Sequence, residues 1–176
     1  MVALAVGTPT TSHWVGWSAA SGAALTIAGR AIDESWRNNP LRIMSPAEIR
    51  ARCDSLATEL GLRCDFRQTN HEGVMVDWLQ EAFEQDAAVI INPAGFSFGS
   101  IPVLDAAKLI SKKPLVEVHI TNIHKRSEQY QHSLISLTAT GVICGLGAGG
   151  YLLAMRAVAE ALAANAVKPE ARLQAV

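Results

Sequence analysis

Short apolar runs recur along this chain and alternate with segments of helical periodicity. Five runs rich in Val, Ile and Leu are apolar on both faces, which is typical of strands in a parallel sheet covered by helices. We predict strands at 2–7, 62–68, 87–92, 114–120 and 141–145.

Four further segments carry the spacing of an amphipathic helix. The clearest begins at Ser45-Pro46-Ala47-Glu48, which places an N-cap serine, an N1 proline and an N3 glutamate in capping-box order. Apolar residues follow at helical spacing, and Gly61 should end the helix. We predict helices near 46–60, 73–83, 102–110 and 149–164.

The alternation of strands and helices predicts right-handed crossovers and one domain over residues 1–176. We expect a flavodoxin-like three-layer α/β sandwich with a five-stranded parallel sheet in the order 2-1-3-4-5. In such folds ligands bind beyond the carboxyl ends of the strands. The connection after strand 1, the loop after strand 3 and the loop after strand 4 should therefore converge.

The connection at about 8–44 is far longer than the roughly two to six residues usual between a strand and a helix. It contains Trp14, Trp17 and Trp36, three of the four tryptophans in the chain. We interpret it as an atypical lid or insertion whose aromatic rings pack on a ligand or another subunit. The alternative is that they only fix the insertion to its own domain.

Composition narrows the class of protein. The chain has 176 residues, 49% of them hydrophobic, and its 15 basic and 16 acidic residues leave a formal net charge of -1. No basic run interrupts it, which argues against a nucleic-acid partner. Cys53, Cys64 and Cys144 form no Cys-x-x-Cys pair and indicate buried, reduced thiols. With no cationic leader and no bilayer-length apolar run, we expect a cytoplasmic protein without membrane contact.

A glycine-rich run, GLGAGG at 145–150, matches the G-x-G-x-x-G pattern of dinucleotide sites between a strand and a helix. That site also needs a following strand with an acidic residue about 20 positions on, and here one helix ends the chain. We interpret these glycines as a tight turn from the last strand into its helix.

The stretch 116–133, in which the fourth strand runs into a polar segment, holds three of the five histidines, His119, His124 and His132. Their spacing fits no recognised metal pattern and no cysteine lies nearby, so we predict no metal site. An imidazole titrates near neutrality and can act as a general acid. His119 lies at the carboxyl end of the strand, whereas His124 and His132 are expected to form hydrogen bonds within the loop.

Four motifs resemble, in order and spacing, the type II 3-dehydroquinate dehydratase family. They are RQTNHEG at 67–73, INPAGFSFGS at 91–100, PLVEVHITNIHKR at 114–126 and ATGVICGLGAGGY at 139–151. The resemblance implies a flavodoxin-like homo-oligomer, a dodecamer built of trimers, that needs no metal or cofactor. It also implies elimination of water from a small cyclic carboxylate through an enolate, with a lid tyrosine as base, an arginine beside it and a histidine as acid.

The resemblance assigns roles to individual residues. His119 matches the acid histidine, and Glu117, two residues back on the same strand face, would support it. Arg37 lies nearest to the position of the lid arginine. The positions that match substrate-binding residues are Asn92, Ile120, Thr121 and Asp105, the last reaching a neighbouring site.

The chain also departs from the family. Phe98 replaces a substrate-binding histidine and Tyr130 replaces a substrate-binding arginine, so both substrate-contacting positions lose polar partners for a hydroxylated ring. Ile43 falls at the position of the lid tyrosine, and an isoleucine cannot abstract a proton. The base would then be Tyr130, His13 or a residue of another subunit.

Two classes of function remain open. The first is a lyase that dehydrates 3-dehydroquinate or a related, less hydroxylated acid, because Asn92, Glu117, His119 and Thr121 are all retained. The second is a binding or scaffold relative, or one with a different substrate, that kept the fold after losing the lid tyrosine.

Overall fold

The structure is a computed structural model that describes the backbone of residues 2–7 and 44–171 and the side chains of residues 44–165. Helices and strands alternate in the order β1 (Val2–Gly7), α1 (Pro46–Glu59), β2 (Arg63–Gln68), α2 (Glu72–Glu84), β3 (Ala88–Asn92), α3 (Ile101–Lys108), β4 (Leu115–His119), β5 (Gly141–Cys144) and α4 (Gly149–Ala171). Each strand and helix lies where the apolar pattern predicts it.

The start of α1 shows how closely local chemistry fixes a helix boundary. The Ser45 side chain accepts a hydrogen bond from the Glu48 N–H, and the Glu48 carboxylate accepts one from the Ser45 N–H at 2.7 Å. The predicted capping box is therefore formed. Proline occupies the first turn, where no N–H is needed, and the apolar stripe of α1 is buried.

The sheet order is β2-β1-β3-β4-β5. Strand β4 pairs in parallel with β3 and with β5, which agrees with the predicted α/β class. The prediction of five parallel strands is wrong, because β1 pairs antiparallel with both β2 and β3. A strand that is apolar along its whole length has no alternation of polar and apolar side chains to fix its direction, so its sequence permits either ladder.

Because β1 runs antiparallel to its neighbours, the connection that follows it starts at a different edge of the sheet from the one predicted. Val2 pairs with Asn92 at the carboxyl end of β3, whereas Gly7 pairs with Arg63 at the beginning of β2. The chain therefore leaves β1 at the edge of the sheet opposite to the carboxyl ends of β3 and β4. The expectation that this connection starts beside those ends is wrong, and residues 8–43 themselves lie outside the described part of the chain.

Helices cover both faces of the sheet and bury two apolar clusters. Ile90, Val116 and Val118 face α1 and α4, while Val89, Ile91 and Leu115 face α2 and α3. The alternation along β3 and β4 follows the two-residue period of a strand. These contacts confirm the three layers. In the described residues no helix is long and apolar enough to cross a membrane.

Candidate active site

Two polar side chains occupy the carboxyl-terminal half of β4, a strand buried at every position. Glu117 has no exposed surface and His119 retains 5%. They share a strand face with Leu115, which packs against the α2 and α3 layer. Burying a carboxylate is costly unless hydrogen bonds replace its water, so the partners of Glu117 decide what this pair can do.

Three donors surround the Glu117 carboxylate. Its Oε1 lies 2.7 Å from His119 Nε2 and accepts a hydrogen bond from the Ser133 hydroxyl, and its Oε2 accepts one from the Ser136 hydroxyl. All three groups are placed to donate to the carboxylate oxygens, and an ionised carboxylate accepts such bonds without supplying a hydrogen of its own. The geometry therefore favours an ionised Glu117.

The charge state of Glu117 results from two opposed effects. Desolvation by burial pushes the pKa of this carboxyl upward. The hydrogen bonds from His119 and the two serines outweigh that effect and hold the pKa below its usual value. Glu117 is thus a buried carboxylate that stays charged at neutral pH, as a group that orients a histidine must.

The contact with Glu117 also assigns the two nitrogens of His119. Since an ionised carboxylate can only accept, Nε2 must carry the hydrogen. Nδ1 is then the nitrogen that can exchange a proton with a ligand, and the carboxylate supports the positive charge of the imidazolium. A histidine held in one orientation by a buried carboxylate is suited to general acid or base catalysis.

An aromatic wall stands beside His119. Phe98, in the 3-10 turn Ala94–Phe98 after β3, stacks on the imidazole with ring centroids 6.3 Å apart and an interplanar angle of 25°. Tyr130 contacts Phe98 edge-on at 5.3 Å and is 38% exposed. The two departures from the family motifs thus lie together at the histidine and give this side of the site an apolar surface.

The polar edge of the site is the segment that follows His119. The Thr121 hydroxyl accepts a hydrogen bond from Arg126 Nη2 at 2.5 Å, and the Arg126 guanidinium lies 5.8 Å from the centre of the Tyr130 ring. Ile120 is 41% exposed. A hydroxyl next to a guanidinium is a suitable partner for a carboxylate ligand.

The glycine run at 145–150 holds this polar edge by backbone hydrogen bonds. The N–H groups of Gly145 and Gly147 donate to the carbonyls of His119 and Ile120 at 3.1 and 2.9 Å. Both glycines have positive φ, +86° and +60°. A side chain on Gly145 would put its Cβ 3.0 Å from that of Asn122. The run is thus the tight turn that the sequence predicts, and it also packs against the segment after β4.

Asn92, predicted to bind substrate, ends β3 and makes two hydrogen bonds of its own. Its Nδ2 donates to the Tyr151 hydroxyl at 2.8 Å, and its Oδ1 accepts from the Ala94 N–H at 3.2 Å. Tyr151 is fully buried, and burial raises the pKa of its phenol, so it remains neutral. The amide is held toward α4, and Tyr151 fixes its orientation.

The other predicted site residues are placed differently. Asp105 lies on α3 with 63% of its side chain exposed and pairs with Lys108 at 2.9 Å, and no recorded contact joins it to His119. Its role at a neighbouring site stays a prediction. Arg37, His13 and Ile43 lie outside the described residues.

The expectation of hydrogen-bonded loop histidines is wrong for the side chains. His124 and His132 are both exposed, and within residues 44–165 neither ring makes a recorded hydrogen bond. The loop is instead tied by Asn122, which accepts from the His124 N–H, and by Gln131, which donates to the Arg126 carbonyl. Short amides reach backbone groups from a turn more readily than a ring does. In the described part of the chain no three His, Cys, Asp or Glu side chains could together hold a metal ion.

Four contributors to the site were not assigned by sequence reasoning: Ser133, Ser136, Tyr151 and the Arg126 guanidinium. The signal that could have found the serines is their spacing of three residues, which aligns side chains in a 3-10 turn. Tyr151 lies 59 residues from Asn92 in sequence. Only the packing of α4 on the sheet brings that pair together.

Comparison with solved structures first defines the class of protein, an α/β fold of the dehydroquinase type. A type II dehydroquinase from Propionibacterium acnes superposes with a TM-score of 0.64 at 39% identity and covers 66% of this chain and 79% of its own. A 3-dehydroquinate dehydratase-like protein from Bifidobacterium longum gives 0.57 at 37% identity, with 67% and 89% covered.

Sequence comparison then identifies the family. The profile of dehydroquinase class II matches residues 42–159. The 3-dehydroquinate dehydratase of Brucella canis is 50% identical over 112 residues, which is 64% of this chain and 71% of that protein. The chain therefore belongs to the class II dehydroquinase family, whose named members here are hydro-lyases.

Proposed function

We propose that this protein is a hydro-lyase that removes water from 3-dehydroquinate or a related cyclic hydroxy-keto acid. The observation that carries the proposal is the Glu117–His119 pair. The carboxylate is held by three donors, and it commits Nε2 of the histidine while Nδ1 remains for the substrate. The family relationship supports the reaction class.

The proposed reaction has two proton transfers. A base removes the proton at C2, next to the ketone, and the electron pair becomes an enolate. Nδ1 of the His119 imidazolium then donates its proton to the C1 hydroxyl, which leaves as water while the enolate collapses to the conjugated enone. Ionised Glu117 supports the imidazolium before this step. Thr121 and Ile120 would hold the substrate carboxylate, and Asn92 a ring hydroxyl.

We assign the base to Tyr130 among the alternatives left by the sequence. Its phenol is part of the aromatic wall, one ring removed from His119 through Phe98. Tyr130→Phe keeps the ring and removes the hydroxyl. It should lower turnover by about a hundredfold or more, the contribution that a general base typically makes. Retained turnover in a folded Tyr130→Phe protein would reject this assignment.

A binding or scaffold protein, or a relative with a different substrate, is the second candidate. The stacking of Phe98 on the His119 ring favours it, because an apolar group at that position cannot hydrogen-bond a hydroxylated ring. It predicts that quinate-like carboxylates bind without turnover, or that a less hydroxylated acid is preferred.

The dehydration assay separates these candidates. Purified protein is mixed with 3-dehydroquinate, and the ultraviolet absorbance of the conjugated enone is followed. We expect product with the parent protein and none with His119→Ala. His124→Ala is the matched control, because its exposed ring makes no recorded hydrogen bond. No enone at high protein concentration, together with no thermal shift by quinate-like ligands, would reject the proposed reaction.

The proposal extends to assembly and location. We propose a homo-oligomer of trimers, a dodecamer, in the cytoplasm. Support for assembly comes from edge strand β5 and the turn after it, where Val142 and Leu146 are 42% and 59% exposed. Sedimentation should give the mass of a multiple of three chains. A monomer would contradict the assembly and leave the reaction to be judged by its own assay.

A further inference from the structure

Ser133 and Ser136, the two serines that hydrogen-bond Glu117, are three residues apart in the sequence. Ser133 immediately precedes the residue that caps the 3-10 turn Ile135–Leu137, and Ser136 lies inside that turn. Residues three apart in a 3-10 helix lie on the same side. Both hydroxyls therefore point to one carboxylate, Ser133 to Oε1 and Ser136 to Oε2.

The direction of the Ser133 hydrogen bond is fixed. Its oxygen accepts from the Ile135 N–H at 3.2 Å, so its own hydrogen is free to be donated to Glu117. The Leu134 N–H donates to the Ser97 carbonyl at 2.7 Å, which ties the segment to the 3-10 turn that carries Phe98. This tie limits how far the Ser133 hydroxyl can turn away from the Glu117 carboxylate.

We propose that Ser133 and Ser136 are positioning residues that keep Glu117 an obligate acceptor and so fix the His119 ring with Nε2–H toward Glu117 and Nδ1 toward the substrate. The inference rests on the proposed function only for the role of Nδ1 in turnover. The assignment of the tautomer stands on the contacts alone.

The positioning role of the two serines can be tested through the pKa of Glu117 and the tautomer of His119. His119 is the titratable group in the described residues that acts on the Glu117 charge, and the remaining partners are hydroxyls. Removal of both hydroxyls leaves burial less opposed, so the pKa of Glu117 rises. Once Glu117 is protonated, its O–H donates to Nε2, and the hydrogen on the neutral ring moves to Nδ1.

The experiment uses full-length protein labelled with nitrogen-15 in its histidines. The His119 signals are assigned by their loss in His119→Gln. At pH values where the parent ring is neutral, we expect its hydrogen on Nε2, because the ionised Glu117 carboxylate can only accept. In the Ser133→Ala, Ser136→Ala double variant we expect the Nδ1–H tautomer to grow in, and the acid limb of kcat/KM to move up by about one pH unit or more.

Matched variants separate positioning from simple loop packing. Ser127→Ala removes an exposed hydroxyl of the same loop that caps nothing, and it should leave the tautomer unchanged. Ser136→Thr keeps a hydroxyl at an exposed position and should retain the parent tautomer. Should the double variant not fold, Ser136→Ala alone applies the same test, because truncation of an exposed side chain leaves no cavity.

The results decide the inference independently of turnover. A folded serine variant with the parent tautomer and, where turnover exists, the parent acid limb would overturn it. So would an equal shift in Ser127→Ala. A tautomer change in protein that never dehydrates 3-dehydroquinate would support the inference and reject the proposed function. Turnover without a tautomer change would do the reverse.

Discussion

Tyr151→Phe is the sharpest test of how the structure holds Asn92. The change deletes one oxygen from a fully buried ring and leaves the aromatic packing of α4 intact. It removes the 2.8 Å hydrogen bond from Asn92 Nδ2. A neutral hydrogen bond contributes about 0.5–1.5 kcal/mol net, and an orphaned buried donor costs about 1–3 kcal/mol. Asn92 is only partly buried, so we expect the free energy of unfolding to fall by about 1–2 kcal/mol.

That loss is measurable by urea unfolding and by heat. For a chain of this size it should lower Tm by about 2–8 °C. Tyr130→Phe is the matched stability control, since it also deletes a phenolic oxygen but from a ring that is 38% exposed. The same Tyr151→Phe protein should bind a quinate-like ligand more weakly, because the Asn92 amide loses one of the two hydrogen bonds that hold it. Parent stability in Tyr151→Phe, or an equal loss in Tyr130→Phe, would refute the reasoning.

Three further outcomes follow from the site. Phe98→His restores a polar partner, so the ratio of kcat/KM for 3-dehydroquinate to that for a deoxy analogue should rise about tenfold; an unchanged ratio in folded protein would contradict this. Gly145→Ala should cost about 1–3 kcal/mol in urea unfolding because its φ is +86° and the new Cβ is crowded, whereas Gly73→Ala, with no atom within 4 Å, should not. The stability due to the lowered pKa of Glu117 is present above pH about 5 and is lost as pH falls through that pKa. Urea titrations from pH 7 to pH 3 should show less of this loss in Glu117→Gln, and equal slopes would contradict the assignment.

The positions of the helices and strands can be predicted from the sequence because they depend on residues that are close together in the chain. The capping box at Ser45 needs only residues within one turn, and it is formed as expected. Apolar runs bounded by turn residues locate β3 and β4, whose burial on both faces leaves few other interpretations. The resemblance adds His119 and Glu117, and the structure brings their side chains into contact.

Other features depend on distant partners and carry no local signal. The direction of β1 is set by which ladder it joins, and an apolar strand fits both. The orientation of Asn92 depends on Tyr151, far along the chain on α4. Phe98 and Tyr130 could each be recognised as a departure from the family, but their contact with one another required coordinates.

The stacking of Phe98 on the His119 ring also affects the electrostatics of the site. Phe98 covers one face of the His119 ring, Glu117 has no exposed surface and His119 retains 5%, so little water reaches either group. In a dry site each hydrogen bond to a charge is stronger and each missing partner costs more. Phe98, in place of the family's histidine, therefore offers fewer hydrogen bonds to a hydroxylated ring. It also strengthens the hydrogen bond between Glu117 and His119. If the proposed reaction holds, Phe98→His should change the preference for one ring over another more than it changes proton transfer at His119.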